Sequence, residues 1–145
     1  MSDIYAVLER DHQNLKSLLH ELSSRDDDHL HTLSLELQAH TEAEETTFYA
    51  PLATDAKAAG AVLQAEKEHK ELRMLALDLP SASDEDFLPT ARRLGDALLS
   101  HVEQEESSLF ARAREILSDE QAQSIGVEYE RQKQLVKGRM HSRAY

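Results

Sequence analysis

The sequence predicts an all-α protein, an up-down-up-down four-helix bundle with a short C-terminal fifth helix. Three observations carry this expectation. The chain is rich in Leu, Ala and Glu, which favour helix, and only four Gly and three Pro interrupt it. Apolar residues recur at intervals of three and four along four long stretches. The connections between those stretches are short, which makes successive helices antiparallel neighbours. At 145 residues the chain is long enough for one domain with a sizeable core. The expected division is a single domain over residues 1–138 and a flexible tail over 139–145.

Each element has its own signal. Ser2 is a candidate cap for a first helix with a buried stripe of Ile4, Leu8, His12, Leu15, Leu19 and Leu22. "SSRDDD" at 23–28 supplies turn and capping residues. The second stripe is Leu30, Leu33, Leu37, His40, Glu44 and Thr47/Phe48, with Pro51 limiting or kinking that helix. The third is Val62, Ala65, His69, Leu72, Ala76 and Leu79, stopped by Pro80. "PSASDED" reads as the clearest loop, and Pro89 suits the first turn of a fourth helix. That helix carries Ala91, Leu94, Leu98, His101, Glu105 and Leu109. "SDEQ" at 118–121 is a capping box that opens the fifth helix, expected to end near Leu135 before a basic, frayed tail.

Composition narrows the function. A net charge of -12 argues against nucleic acid and anionic membranes as partners, because phosphate surfaces demand basic proteins. There are no cysteines, so disulfides, zinc fingers, iron–sulfur clusters and thiol catalysis are excluded. The N-terminus lacks a signal pattern and no apolar run approaches a membrane span, which makes the cytoplasm the expected compartment.

The chemistry lies in what interrupts the stripes. "HTEAEETTFYA" from His40 and "HVEQEESSLFA" from His101 repeat the same pattern sixty-one positions apart. "DHQNLKSL" from Asp11 likewise parallels "EHKELRML" from Glu68. In an antiparallel hairpin, residues equidistant from the turn share a height. His12 and His40 are equidistant from residue 26. Glu44 and His69 are equidistant from the point between 56 and 57, and His69 and His101 from residue 85. All the interruptions therefore converge on one layer. His40 and Glu44 are four apart, as are His101 and Glu105, so each pair shares a helix face. Each half contributes a lone His and one His-x-x-x-Glu.

Taken singly, a His on an apolar stripe reads as a hydrogen-bonded core residue. Four imidazoles and two carboxylates at one level, internally repeated, read as a site for two metal ions, with two His to each ion and Glu44 and Glu105 bridging. Nitrogen-plus-carboxylate donors with vacancies suit iron, with manganese or zinc as alternatives, whereas calcium prefers all-oxygen shells. His20, His29, His31 and His141 fall off the stripes or in the tail. Glu42, Glu45, Glu103 and Glu106 are expected on the surface, with a supporting role open to them. Leu8, Leu15, Leu37, Leu72 and Leu98 would keep bulk water away.

With "DH" at 11–12, "HTEAEETTFYAP" from 40, "EH" at 68–69 and "HVEQEESSLF" from 101, the chain resembles the hemerythrin-like, His-His-Glu cation-binding domains from residue 2 to about 117. The resemblance implies a non-haem, oxo- or hydroxo-bridged diiron centre in an up-down bundle, with His12, His40, Glu44, His69, His101 and Glu105 as ligands. Members of the family bind dioxygen reversibly, sense oxygen or iron, or handle nitric oxide and peroxide. One departure stands out. Oxygen-carrying members place a further His four residues after the third-helix ligand, where this chain has Arg73, and a guanidinium cannot ordinarily ligate a metal. Tyr49 is the one aromatic hydroxyl near a ligand motif. Nine residues past His40, it falls on the opposite side of an ideal helix. The missing His weakens the case for simple oxygen carriage and favours redox chemistry, sensing or iron handling.

A rival arrangement uses Glu9-x-x-His12 and Glu66-x-x-His69 with Glu44 and Glu105, the donor set of ferritin-like bundles. It leaves His40 and His101 unexplained and needs a long crossover. The expected function is a diiron protein acting on O2, NO or H2O2 in redox or nitrosative stress, with a small diatomic or peroxide as its ligand. The alternatives are a non-enzymatic oxygen or iron sensor, or an iron store or donor. A metal-free interaction module is a third reading, which the six converging donors oppose.

Overall fold

The computed structural model describes residues 2–22 and 25–144, with side chains to Met140, and these are almost entirely helical with no strand among them. Helix α1 spans Ile4–His20. Helix α2 begins as Asp27–Glu44, widens into a π-helical turn at Glu45–Tyr49 and ends as Ala50–Ala53. Helix α3 spans Ala59–Asp78 and tightens into a 3-10 turn, Leu79–Ser81, at Pro80. Helix α4 runs as Asp84–Gln104, passes through a second π turn, Glu105–Leu109, and finishes as Phe110–Ile116. Helix α5 spans Asp119–Ala144. No described helix is long and apolar enough to cross a membrane.

The first four helices pack each against the next, α4 closes back on α1, and α5 lies against α1 and α2. The core forms two apolar clusters. One holds Ile4 and Leu8 of α1, Phe48 and Leu52 of α2, Val62 and Ala65 of α3, and Leu109 and Phe110 of α4. The other holds Leu15 of α1, Leu33 and Leu37 of α2, Leu72 and Leu75 of α3, and Leu94 and Leu98 of α4. In each helix the His or His–Glu interruption falls between the two, so a polar layer divides an otherwise dry interior.

Several local expectations need correction. The cap of α1 is Asp3, which accepts from the Ala6 amide at 3.0 Å, not Ser2. A carboxylate there also complements the positive end of the helix dipole. The loop before α4 is shorter than expected. Ser83 caps the helix and Asp84, Glu85 and Asp86 occupy its first turn, so most of "PSASDED" is drawn into helix and Pro89 sits inside it. The capping box at Ser118 forms as expected, with Ser118 and Gln121 exchanging hydrogen bonds at 2.8 and 3.1 Å. Helix α5 is not short, however: it runs for 26 residues, more than the 17 of α1. Its basic residues find acidic partners on α1 and α2, Lys133 with Asp11, Lys137 with Glu36 and Arg139 with Glu42 at 2.6 Å, which carries the helix past Leu135.

The seating of α5 on α1 is close. A Cβ on Gly126 would lie 2.9 Å from the Ser2 carbonyl oxygen and 3.1 Å from the Ile4 nitrogen. Gly126→Val is therefore expected to destabilise the protein by about 1–3 kcal/mol through overpacking against backbone. A Cβ on Gly95 would meet nothing within 4 Å. Gly95→Ala is expected to stabilise by up to about 1 kcal/mol through helix propensity alone. Urea denaturation of both variants checks the pair, and equal effects would contradict this packing.

Candidate metal centre

The i,i+4 spacing places His40 with Glu44 and His101 with Glu105 on the inward faces of α2 and α4. His12 and His69 come from mid-stripe positions of α1 and α3. All six side chains are at most 2% exposed. One carboxylate oxygen or ring nitrogen from each of Glu44, His69, His101 and Glu105 lies within 4.8 Å of the others, and His12, His40 and Glu44 form a second such group. Glu44 belongs to both. The six residues singled out in the sequence thus meet in one layer.

The four Nε2 atoms face inward. Those of His69 and His101 are 3.1 Å apart. His69 Nε2 lies 2.9 Å from Glu44, and His12 Nε2 lies 3.2 Å from Glu105. Several of these atoms make no hydrogen bond despite complete burial: Nε2 of His12 and His40, both oxygens of Glu44 and Oε1 of Glu105. Burying such groups without a partner costs several kcal/mol, roughly, for each. Unsatisfied nitrogen and carboxylate lone pairs converging on two points are the donor set that divalent transition metals take up. The residues present therefore fit a pair of cations.

Behind them lies a ring of carboxylates. His12 Nδ1 donates to Glu106 at 2.7 Å, His40 to Asp11 at 3.0 Å, His69 to Glu45 at 2.8 Å and His101 to Glu68 at 2.7 Å. A carboxylate on the outer nitrogen orients each ring and leaves Nε2 free as a donor to metal. The pattern follows the repeat. The acid before each lone His supports the neighbouring hairpin histidine, and the acid after each buried Glu supports the lone His of the other half. Glu45 and Glu106 are thus supporting residues, whereas Glu103 is exposed. Glu9, too, is exposed and Glu66 only half-buried, and neither joins the cluster, which removes the ferritin-like arrangement.

Arg73 does not reach the centre. Its guanidinium donates to Glu45 at 3.0 Å, so it backs the carboxylate that holds His69. Lys133 of α5 does the same for Asp11, behind His40. Tyr129 of α5 donates to Asp11 and lies 2.7 Å from His40 Nδ1. Neither α5 residue is apparent from the stripes, although their i,i+4 spacing on a helix of otherwise low apolarity is the signal that could have found them.

Tyr49 reverses its sequence expectation. It is buried, stacks on the His69 ring with centroids 5.1 Å apart, donates to Glu105 and lies 3.2 Å from His69 Nε2. The cause is the π turn, not a kink at Pro51. One extra residue in the turn rotates everything after it by about 100°, which carries Tyr49 inward. The second π turn falls within one residue of the same place in the repeat, where no proline follows. Hydroxyl residues accompany both. Thr47 donates to the Ala43 carbonyl at 2.7 Å and Ser107 to the Glu103 carbonyl at 2.6 Å, supplying hydrogens to carbonyls where the regular ladder is disturbed. The repeated "TT" and "SS" were the available signal. The position matching Tyr49 in the second half is Phe110, so the hydroxyl is present on one side only.

Electrostatics follow the geometry. Burial pushes the His40 ring down, but the charge of Glu44 and the hydrogen bond to Asp11 outweigh it and raise the pKa to about 10. Burial likewise opposes His101, whose carboxylate neighbours Glu105 and Glu68 raise it to about 10. Burial would raise Asp11, yet His40 and Lys133 hold it well below the usual carboxylate range. Burial, with the charges of Glu44 and Glu105, pushes the Tyr49 hydroxyl well above its ordinary value, so it remains a proton donor.

A helical bundle enclosing such a layer defines a metal-binding class of protein. Residues 3–113 match the family described as the Hemerythrin HHE cation binding domain, and the chain belongs to that family. It is also 30% identical, over 149 aligned positions, to a protein of Nostoc sp. (strain PCC 7120 / SAG 25.82 / UTEX 2576) named DNA nickase. The alignment covers 98% of this chain but 42% of that relative, so the chain spans less than half of the relative's length. No solved structure matches.

Proposed function

We propose that the chain holds two iron ions, with manganese or zinc as alternative occupants, and uses them on a small oxidant or gas: O2, NO or H2O2. His69 and His101 would hold one ion, His12 and His40 the other, and Glu44 and Glu105 both, Glu105 lying 3.2 Å from His12 and 3.3 Å from His101. The observation that carries this reading is the set of buried, unpaired donor atoms shared between two groups. When bound, the iron pair supplies one-electron redox cycling and open coordination positions. The chain's own residues do the rest. Asp11, Glu45, Glu68 and Glu106 pair with the four outer ring nitrogens and so aim the inner ones at the centre. Leu8, Leu15, Leu37, Leu72 and Leu98, each at most 2% exposed, exclude bulk water. Tyr49 holds a proton at the His69–Glu105 edge, on the hairpin where Arg73 stands in place of a further His, and it is the residue available to complete that edge.

The reading takes the four core helices as alternating in direction, a topology supported by the opposite order of the two apolar clusters along successive helices. It places the protein in the cytoplasm and assigns it no nucleic-acid partner. The relative's name points to DNA, but the net charge of -12 opposes phosphate binding, so nicking is assigned to no residue here. The test is metal analysis and optical spectroscopy of anaerobically purified protein, followed by exposure to H2O2, NO and O2. About two irons per chain and consumption of one of these molecules are expected. Reversible spectral change without consumption would favour the oxygen or iron sensor instead. A chain that takes up no transition metal, or that nicks supercoiled plasmid, would contradict the proposal.

A further inference from the structure

The two halves of the bundle repeat their ligands but not their cover. In the register that aligns His12 with His69, the positions matching Ile4, Val7 and Leu8 are Ala61, Gln64 and Ala65. The first three are 0%, 3% and 0% exposed and share their cluster with Ala122 and Tyr129 of α5, which lies over that half. In the second half two of the three are alanine and the third is polar, and a cavity of about 210 Å³ opens beside the layer. Its walls include Ala61, Gln64, Ala65 and Glu68 of α3 and His101 and Glu105 of α4. Two of these, His101 and Glu105, belong to the converging six, so the cavity ends on the centre itself.

From this asymmetry we infer that a small uncharged molecule reaches the centre through the α3–α4 cavity, at its His101–Glu105 edge, and not through the half sealed by α5. The inference rests on the metal-centre reading above and adds the route and the charge class of the ligand. A water molecule's share of volume is about 30 Å³, so the cavity admits a diatomic or undissociated peroxide with room to spare. Apart from His101 its lining is apolar, amide, hydroxyl or carboxylate, with neither Lys nor Arg. An anion entering there must pass Glu68 before it reaches the ions at the inner end, and the lining offers it neither Lys nor Arg on the way, whereas a neutral molecule incurs no such repulsion. A separate, more polar depression also touches Gln64, Glu68 and His101 but carries Arg93 and Ala97, and it is the competing route.

The test plugs each route in the iron-loaded full chain and follows NO association by anaerobic stopped flow, with iron content measured separately. Ala61→Ile with Ala65→Leu copies the sealed half into the open one. Gln104→Trp, at an exposed lining residue that the competing depression lacks, blocks the rim without burying new volume in the core. Both are expected to slow association about tenfold or more at unchanged iron content, because entry then requires a side chain to move. Ala97→Trp, in the competing depression, is expected to leave the rate unchanged. Azide, an anion of similar size, is expected to associate far more slowly than NO with the parent chain. Parental NO rates in both plugged variants, slowing by Ala97→Trp alone, or azide matching NO would each overturn the inference. Failure of iron to bind at all would appear in the metal analysis and would overturn the underlying reading instead.

Discussion

Loading the metal-free chain with ferrous iron is expected to raise its melting temperature by about 10 °C or more, and Glu44→Ala to abolish that increment. The size follows from linkage: at roughly a thousandfold excess over the dissociation constant, a ligand bound only by the folded state adds about 4 kcal/mol. For a domain of this size each kcal/mol corresponds to about 3 °C. Glu44 is the decisive residue because both its oxygens are buried without a hydrogen-bond partner and it belongs to both donor groups. Its loss therefore disables both positions at once. Glu103→Ala, at an exposed acid of the same repeat, is the control and should retain the full increment. Scanning calorimetry with and without metal reads the outcome. An increment of equal size in the Glu44→Ala protein would show that the ions bind elsewhere.

The second large effect is a steep dependence of metal affinity on pH. In the metal-free chain His40 and His101 are raised to about 10 by their carboxylate neighbours, so both carry a proton at neutral pH. A metal must displace those protons. Each proton released strengthens apparent binding about tenfold per pH unit, so two give about a hundredfold. The steep range lies below about pH 10, above which no proton remains to be displaced. The stability of the metal-free chain moves the other way. A histidine whose folded pKa is raised stabilises fully below its unfolded pKa, near 6.5, and that contribution is lost as pH rises through about 10. Competition with a chelator across this range gives the affinity slope, and calorimetry in buffers of different ionisation enthalpy counts the protons. Affinity that is flat with pH would mean the rings are neutral before metal arrives.

Much of the architecture can be read from local pattern. The four stripes are buried almost residue for residue, only Leu19, Thr47 and Ala91 remaining half-exposed. The capping box at Ser118 forms its two reciprocal bonds. The convergence of His12, His40, His69 and His101 follows from hairpin arithmetic, which needs only short connections and antiparallel neighbours. Expectations failed where a short-range rule met a competing local force. Pro89 suggested a helix start, but Ser83 and three acidic residues after it nucleate α4 earlier. Tyr49 was placed outward by a regular helical period that the π turn breaks.

What the sequence alone determined is the set of donors and the faces that carry them, because helical period and i,i+4 spacing are properties of neighbouring residues. Tertiary structure decided how those donors are supported and reached. His12 relies on Glu106, ninety-four residues away, and Asp11 is held by Tyr129 and Lys133 of a helix whose docking face is marked by little more than their own i,i+4 spacing. The same docking seals one half and leaves the other to a cavity at Ala61 and Ala65. Those choices depend on side-chain volume and charge meeting across separate helices, and a contact between distant segments leaves no repeat along the chain by which to recognise it.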